Sequence, residues 1–375
     1  MNDFSFRPWG RPSWLKPRFK VQSWCVLACF GTEKRSVKSA VSLVEEGDSL
    51  IMVRIDDPLT GTSVEEEKRQ SAYRENQAIL DKSGIELTVV QDELKASLDR
   101  IYDICQQASE ISENVILDIT SFPKRWFFPM LRYLIDDARI LNLQVAYTRG
   151  DVHAKSLSED PEMLRELPTF VSLDDRTNHD LAFVGVGFHT HSLLELFGED
   201  KSKSLRLLFP FPPGPPGIHR NWKFVQEVEM KVQKDESLSD GNEPISYLHL
   251  DATDVSQAFD ALKIVTENGT KTSIMAPYGP KSFSLAMCLF AIAAERAGQP
   301  DIPMWYSQPQ KYAINYTEDA AYRLGQLDSW SYGIKRSSRF LYELCWRHLG
   351  RHHAKLVQPL ILYTSKRAYN VCPSF

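Results

Sequence analysis

Along most of the chain, short apolar runs alternate with longer stretches whose apolar residues recur every three or four positions. The runs 25–30, 49–54, 85–90, 115–120 and 145–148 read as strands in the first half. In the second half the runs are 181–187, 204–209, 245–250, 272–277 and 304–307. Between them, 37–46, 65–82, 93–108, 124–140, 192–197, 219–232, 256–268 and 281–297 carry helical spacing, as at Leu94, Leu98, Ile101 and Cys105. Strand–helix alternation with short, continuously apolar strands predicts an α/β protein whose parallel sheets are covered on both faces.

The two halves repeat one another. Residues 25–36 match 181–192: an apolar run, then Gly31 or Gly187, then a short polar loop, then Ser36 or Ser192. In the same order 49–54 match 204–209, 85–90 match 245–250, 122–124 match 279–281, and 145–148 match 304–307. Such a recurrence predicts one supersecondary design used twice. We expect two tandem Rossmann-like parallel-sheet domains related by approximate two-fold symmetry. The division expected is a basic arm at 1–20, a first domain at 21–155, a linker at 156–178, a second domain at 179–320 and a basic C-terminal helical segment at 321–375.

Ligands of open parallel sheets sit beyond the carboxyl ends of the strands, where strand order reverses. The loops expected there are Thr32, Glu33, Lys34, Arg35 and Ser36 after the first strand, and His189, Thr190 and His191 at the matching place. After the fourth strand come Thr120, Ser121, Phe122, Pro123, Lys124 and Arg125, and then Tyr278, Gly279, Pro280, Lys281 and Ser282. Small hydroxyls and a Lys at a helix start suit an anion, because free N–H groups and the helix dipole point at it. Pro at N1 with a polar flank also makes an ordinary helix cap. Arg35 can grip a phosphate bidentately. Asp118, at the end of its strand, suits a ribose hydroxyl, a base, or a buried hydrogen-bonded role.

The Thr120–Arg125 loop and the run from Pro277 to Met287, each leading into an apolar helix, resemble the Gly-Gly-Thr-Lys-type strand-to-helix motif of CRISPR-associated Rossmann-fold (CARF) domains. One glycine stands before Lys281 and none before Lys124. Two such units in one chain resemble the SAVED sensors of prokaryotic anti-phage defence. The resemblance implies binding of a nucleotide, a cyclic oligonucleotide among them, across a pseudo-two-fold interface, and antiviral signalling through a partner effector or assembly. No cofactor is expected.

Two rival chemistries remain open. One is a nucleotide-processing hydrolase or phosphodiesterase working at the same loops. The other is a metal-dependent hydrolase, in which His189 and His191 close an apolar strand as in amidohydrolases, with His219, His249, Asp251 and Asp254 as further ligands. Neither a P-loop, a GxGxxG, a CxxC pair nor an HExxH is present.

Composition bounds these readings. Length, 375 residues, suits two domains, and 43% hydrophobic with 25% charged residues excludes a disordered or collagenous chain. Net charge is −5, so the body does not invite nucleic acid, but both ends are basic. Residues 1–20 carry Arg7, Arg11, Lys16, Arg18 and Lys20 against Asp3. Residues 336–375 carry seven Lys and Arg against Glu343. Weak nucleic-acid binding through these termini is expected. A zinc set of Cys345, His348, His352 and Cys372, a protein-docking segment and a poorly ordered tail are alternatives for the last stretch. Six scattered cysteines read as free thiols of a reducing cytoplasm. The most apolar helix, 283–294, is shorter than the roughly twenty residues of a bilayer span, so no membrane is expected.

Overall fold

A computed structural model describes residues 11–12, 23–56, 62–153, 158–172, 178–187, 204–211, 226, 245–314 and 316–344. It divides into two compact units. One is Met1–Thr169 with Ser307–Tyr342, the other Phe170–Tyr306 with Glu343–Phe375.

The first unit runs β1 (Cys25–Cys29), α1 (Lys34–Leu43), β2 (Ser49–Asp56), α2 (Ser63–Ser83), β3 (Leu87–Glu93), α3 (Leu98–Ile111), β4 (Asn114–Asp118), α4 (Lys124–Asp136) and β5 (Asn142–Thr148). The strands pair in the order β3-β2-β1-β4-β5, all parallel. All five residues of β1 and all five of β4 are buried. Continuous apolar runs belong at such central positions, where helices cover both faces. The outer strand β3 has no buried residue, and Thr88, Val89, Gln91 and Glu93 are exposed. The core on one face gathers Trp24, Val26, Ala28, Val37, Leu50, Met52 and Tyr73. On α4, Trp126, Phe127, Phe128, Met130 and Leu131 are buried.

The second unit runs β6 (Leu181–Gly185), β7 (Leu205–Phe211), β8 (Ile245–Asp251), α5 (Val255–Val265), β9 (Ser273–Ala276) and α6 (Lys281–Arg296). Its strands pair in parallel as β8-β7-β6-β9, and a parallel bridge joins Met275 to Met304 beyond β9. Strand order therefore agrees between the units. On α6 every residue from Ser282 to Ala294 is buried, and Phe290 meets Phe259 of α5 edge to face at 5.7 Å. The length and apolarity of 283–294 are those of a core helix. Among the described residues no helix is long and apolar enough to cross a membrane.

Ladder register refines the repeat. Val26 faces Leu50 and Ile116, and Ala182 faces Leu205 and Ile274. Leu87 and Ile245 hold equivalent places opposite Leu50 and Leu205, two residues from the match read at 85. Asp118 faces Ala28, and Ala276 faces Val184, so the fourth strands align one residue away from the sequence match.

The largest departure from the expected division lies after residue 306. Residues 307–342 belong to the first unit. Within them β10 (Ser329–Arg336) pairs antiparallel with β5, and the short strands Arg11–Pro12 and Arg339–Phe340 pair with β10. Pro309–Tyr312 pairs antiparallel with Ser158–Pro161. Tyr332, Ile334 and Tyr342 are fully buried. The expected basic segment from 321 is therefore a strand-bearing part of the first sheet as far as Tyr342. Residues 345–375 lie outside the described residues, as do 1–10 and 13–22.

Candidate functional site

Strand order reverses between β1 and β4 in the first unit and between β6 and β9 in the second. Helix starts differ systematically around these points. Away from them, Thr62 caps α2 in a full capping box with Glu65, Ser97 caps α3, and Asp254 caps α5. The helices that follow β1, β4 and β9 have no side-chain cap and no acidic residue in the first turn, and they open on Lys34, Lys124 and Lys281. Pro123 and Pro280 stand at the N-cap, one place before the N1 position expected from sequence. A Lys there opposes the positive end of the helix dipole by about 0.3–1 kcal/mol.

In the first unit these loops are knit together by side chains. Arg35 is 3% exposed. Its Nε and one terminal nitrogen donate to the two carboxylate oxygens of Glu33 at 2.8 and 3.3 Å, and the other terminal nitrogen donates to the Thr148 carbonyl at 3.5 Å. Burial opposes the Arg35 charge, but the Glu33 carboxylate outweighs it and raises the guanidinium pKa. Glu33 also accepts from Ser121 Oγ at 3.4 Å and Thr317 Oγ1 at 2.6 Å. The Tyr316 ring lies 5.9 Å from the guanidinium. Ser36 Oγ donates to the Glu33 carbonyl at 2.7 Å, and Thr32 is half-buried. Lys34 points away, to Glu75 of α2 at 3.1 Å.

A hydroxyl chain lies beneath. Asp118, 1% exposed, accepts from the Thr120 amide at 3.0 Å and from its hydroxyl. Thr120 Oγ1 accepts from the Thr148 amide at 2.8 Å, and Thr148 Oγ1 bonds Ser39 and Ser329 at 2.7 and 2.6 Å. Of the roles open to Asp118, the buried and hydrogen-bonded one is what its surroundings provide. Lys124 is half-buried, and desolvation pushes its ammonium down to about 7. Arg125 is lowered too, by burial and then by the positive charge of Arg165.

In the second unit the loops cross backbone to backbone. A Cβ on Gly185 would lie 2.8 Å from the Gly279 nitrogen, and one on Gly187 would lie 2.9 Å from the Tyr278 carbonyl carbon. Three glycines, Gly185, Gly187 and Gly279, thus let strand end and loop touch. Ser282 donates to the Ala252 carbonyl, and Ser284 donates to the Pro277 carbonyl at 3.2 Å. Both hydroxyls are spent on the fold. The Tyr278 ring stands 5.2 Å from that of Tyr306, and Lys281 is half-buried at N1.

His189, His191 and His219 lie outside the described residues. Of the other residues in the metal reading, Asp251 accepts from the Thr253 amide and hydroxyl at 2.7 and 2.6 Å, Asp254 caps α5, and His249 meets Phe209 edge to face. No group of metal-ligating side chains occurs among the described residues. Cys25, Cys29, Cys105 and Cys288 are buried free thiols, and burial, with Asp48 adding, pushes Cys25 up to about 12. Sequence reasoning set Glu33 in the expected ligand loop without giving it a role, and it passed over Tyr316, Thr317 and Asp319. These last lie some 280 positions from Glu33, and no local pattern marks them.

No protein-family model matches the chain, and no curated protein matches it. Among solved structures, a universal stress protein from Archaeoglobus fulgidus is similar at 13% identity over 76% of this chain and 96% of that one, with a TM-score of 0.20. A multidomain structure of a keto acid-selecting NRPS module, with adenylation, ketoreductase and pseudo Asub parts, is similar at 10% identity over 72% of this chain and 28% of that one, also with a TM-score of 0.20. Similarity at that level bears on neither the fold nor the activity of this chain.

Proposed function

We propose that this protein binds a nucleotide-type anion at a strand-carboxyl edge and serves as a sensor. The observation that carries this reading is the contrast between helix starts. Each described helix that follows a strand at the order reversal is uncapped and opens on Lys, whereas the others are capped by Thr62, Ser97 and Asp254. Uncapped N–H groups, a dipole end and a cation are the elements of a phosphate site. In the sensing reading the ligand is a nucleoside phosphate or cyclic oligonucleotide, and a partner effector receives the signal, as the CARF and SAVED resemblance implies. In the same reading the protein acts in prokaryotic defence.

Lys281 is the residue on which the reading turns. Lys281→Glu removes an unfavourable charge–dipole contact, so Tm without ligand should hold or rise slightly, while nucleotide binding is lost. Calorimetric titration of wild type and variant with nucleoside phosphates and cyclic oligonucleotides measures both. Normal binding by Lys281→Glu would move the site elsewhere. The second reading, a nucleotide-processing enzyme, draws on Lys124, whose ammonium near 7 suits proton transfer at neutral pH. Appearance of cleaved nucleotide in the same titration samples would favour it.

A further inference from the structure

The loops after β1 and β4 of the first unit already gather donors around one carboxylate, that of Glu33. We propose that the carboxylate of Glu33 is the resident ligand of a cradle formed by Arg35, Ser121 and Thr317, so that this unit takes no exchangeable phosphate. The inference rests on the anion-binding reading for what such loops are built to hold, and it assigns exchangeable binding to the second unit.

The geometry supports a closed site. Two Arg35 nitrogens meet the two Glu33 oxygens in fork fashion at 2.8 and 3.3 Å, the arrangement Arg makes with carboxylate or phosphate. Ser121, from the loop after β4, donates to one oxygen and Thr317 donates to the other. These are the donors a phosphate would use at the order reversal, and all converge on one side chain. Glu33 is also the N-cap residue of α1, so its charge stands at the positive end of that helix.

A cover lies over the pair. The chain returns to this unit after residue 306, where Thr317 bonds Glu33 and Asp319 bonds Lys38 of α1. Thr317 and Ala320 bridge antiparallel to His153 and Gly150. Asp319 takes Lys38 Nζ at 2.6 and 2.7 Å, and Lys311 meets Glu65 at 2.9 Å. A Cβ on Gly150 would lie 3.0 Å from Thr317 Cβ, so the cover packs directly on backbone. Arg35 beneath it is almost fully buried. A phosphate could enter only by displacing a bonded, desolvated carboxylate and lifting this segment.

Anion rescue tests the assignment on the full chain, with inorganic phosphate as probe. Glu33→Ser removes the resident carboxylate and leaves room. Its Tm should fall in chloride buffer and rise with phosphate, increasing with concentration as ligand linkage requires. Wild type at matched ionic strength should show no such rise. Glu33→Gln removes the charge but fills the space, so phosphate should not rescue it. Folded Glu33→Ser without phosphate rescue would overturn the proposal, as would equal rescue of Glu33→Gln. Should Glu33→Ser not fold, the Lys281→Glu protein decides. It should show no anion binding that a further Arg35→Met change abolishes, and any such Arg35-dependent binding overturns the proposal. If wild type binds no nucleotide, the sensing reading fails by itself, and phosphate rescue still decides the role of Glu33.

Discussion

Glu33 and Lys124 show how position converts ordinary side chains into site features. In the loop after β1, Glu33 becomes the acceptor for Arg35, Ser121 and Thr317. Lys124 moves the opposite way. Burial depresses its ammonium to about 7, against about 10.4 in an unfolded chain. The folded state therefore binds fewer protons than the unfolded state between those values, and stability should rise as pH climbs from about 7 to about 10.4. Lys124→Met should abolish that rise and stabilise the protein at neutral pH by on the order of 1–3 kcal/mol, less than the whole shift implies because the side chain keeps some exposure. Urea denaturation of both proteins at pH 6, 7.5 and 9 checks the sign, and a wild-type curve that is flat or falling with pH would contradict it.

Helix caps and glycine crossings carry the next level of organisation. Thr62 with Glu65, and Ser97 before α3, satisfy free N–H groups at their helix starts, as small hydroxyls before a periodic run do. The glycine pattern at 185, 187 and 279 was legible only in part, Gly187 as a repeat position and Gly279 as a member of the expected ligand loop. Its physical reason is mutual, because each glycine makes room for the backbone of the other loop. Gly187→Ala should push the Tyr278 carbonyl away and displace the Lys281 helix start. Overpacking of this kind costs about 1–3 kcal/mol. Nucleotide binding should weaken alongside stability. A thermal melt together with calorimetry measures both, and unchanged values in each would show that the crossing yields without consequence.

For the chain as a whole, the charge split between acidic body and basic ends predicts weak polyanion binding through the ends. A deletion that tests it must spare the first sheet. Removing everything from residue 336 would take away Phe340, Leu341 and Tyr342, which are buried. Deleting 345–375 instead removes Arg347, Arg351, Lys355, Lys366 and Arg367 and leaves β10 in place. The slope of log affinity against log salt for a DNA duplex should flatten by about 0.9 for each phosphate that these side chains no longer neutralise. A slope unchanged in this truncation would place the phosphate-binding cations elsewhere.

Fold class, strand count in the first half and the loops at the order reversal could all be read from the chain, because apolar period and strand–helix alternation are local and repeat. Central β1 and β4 announce themselves by unbroken apolar runs, and α6 by its length and apolarity. Three things depended on distant contacts. β10 joins the first sheet from nearly two hundred residues away, Thr317 reaches Glu33, and Gly187 meets Tyr278. None leaves a periodic trace, since one hydrogen bond or one backbone contact constrains a single position. Whether a basic residue such as Arg35 is free to hold a phosphate is a matter of which charge has been buried beside it, and that is set by the packing of segments the sequence does not place side by side.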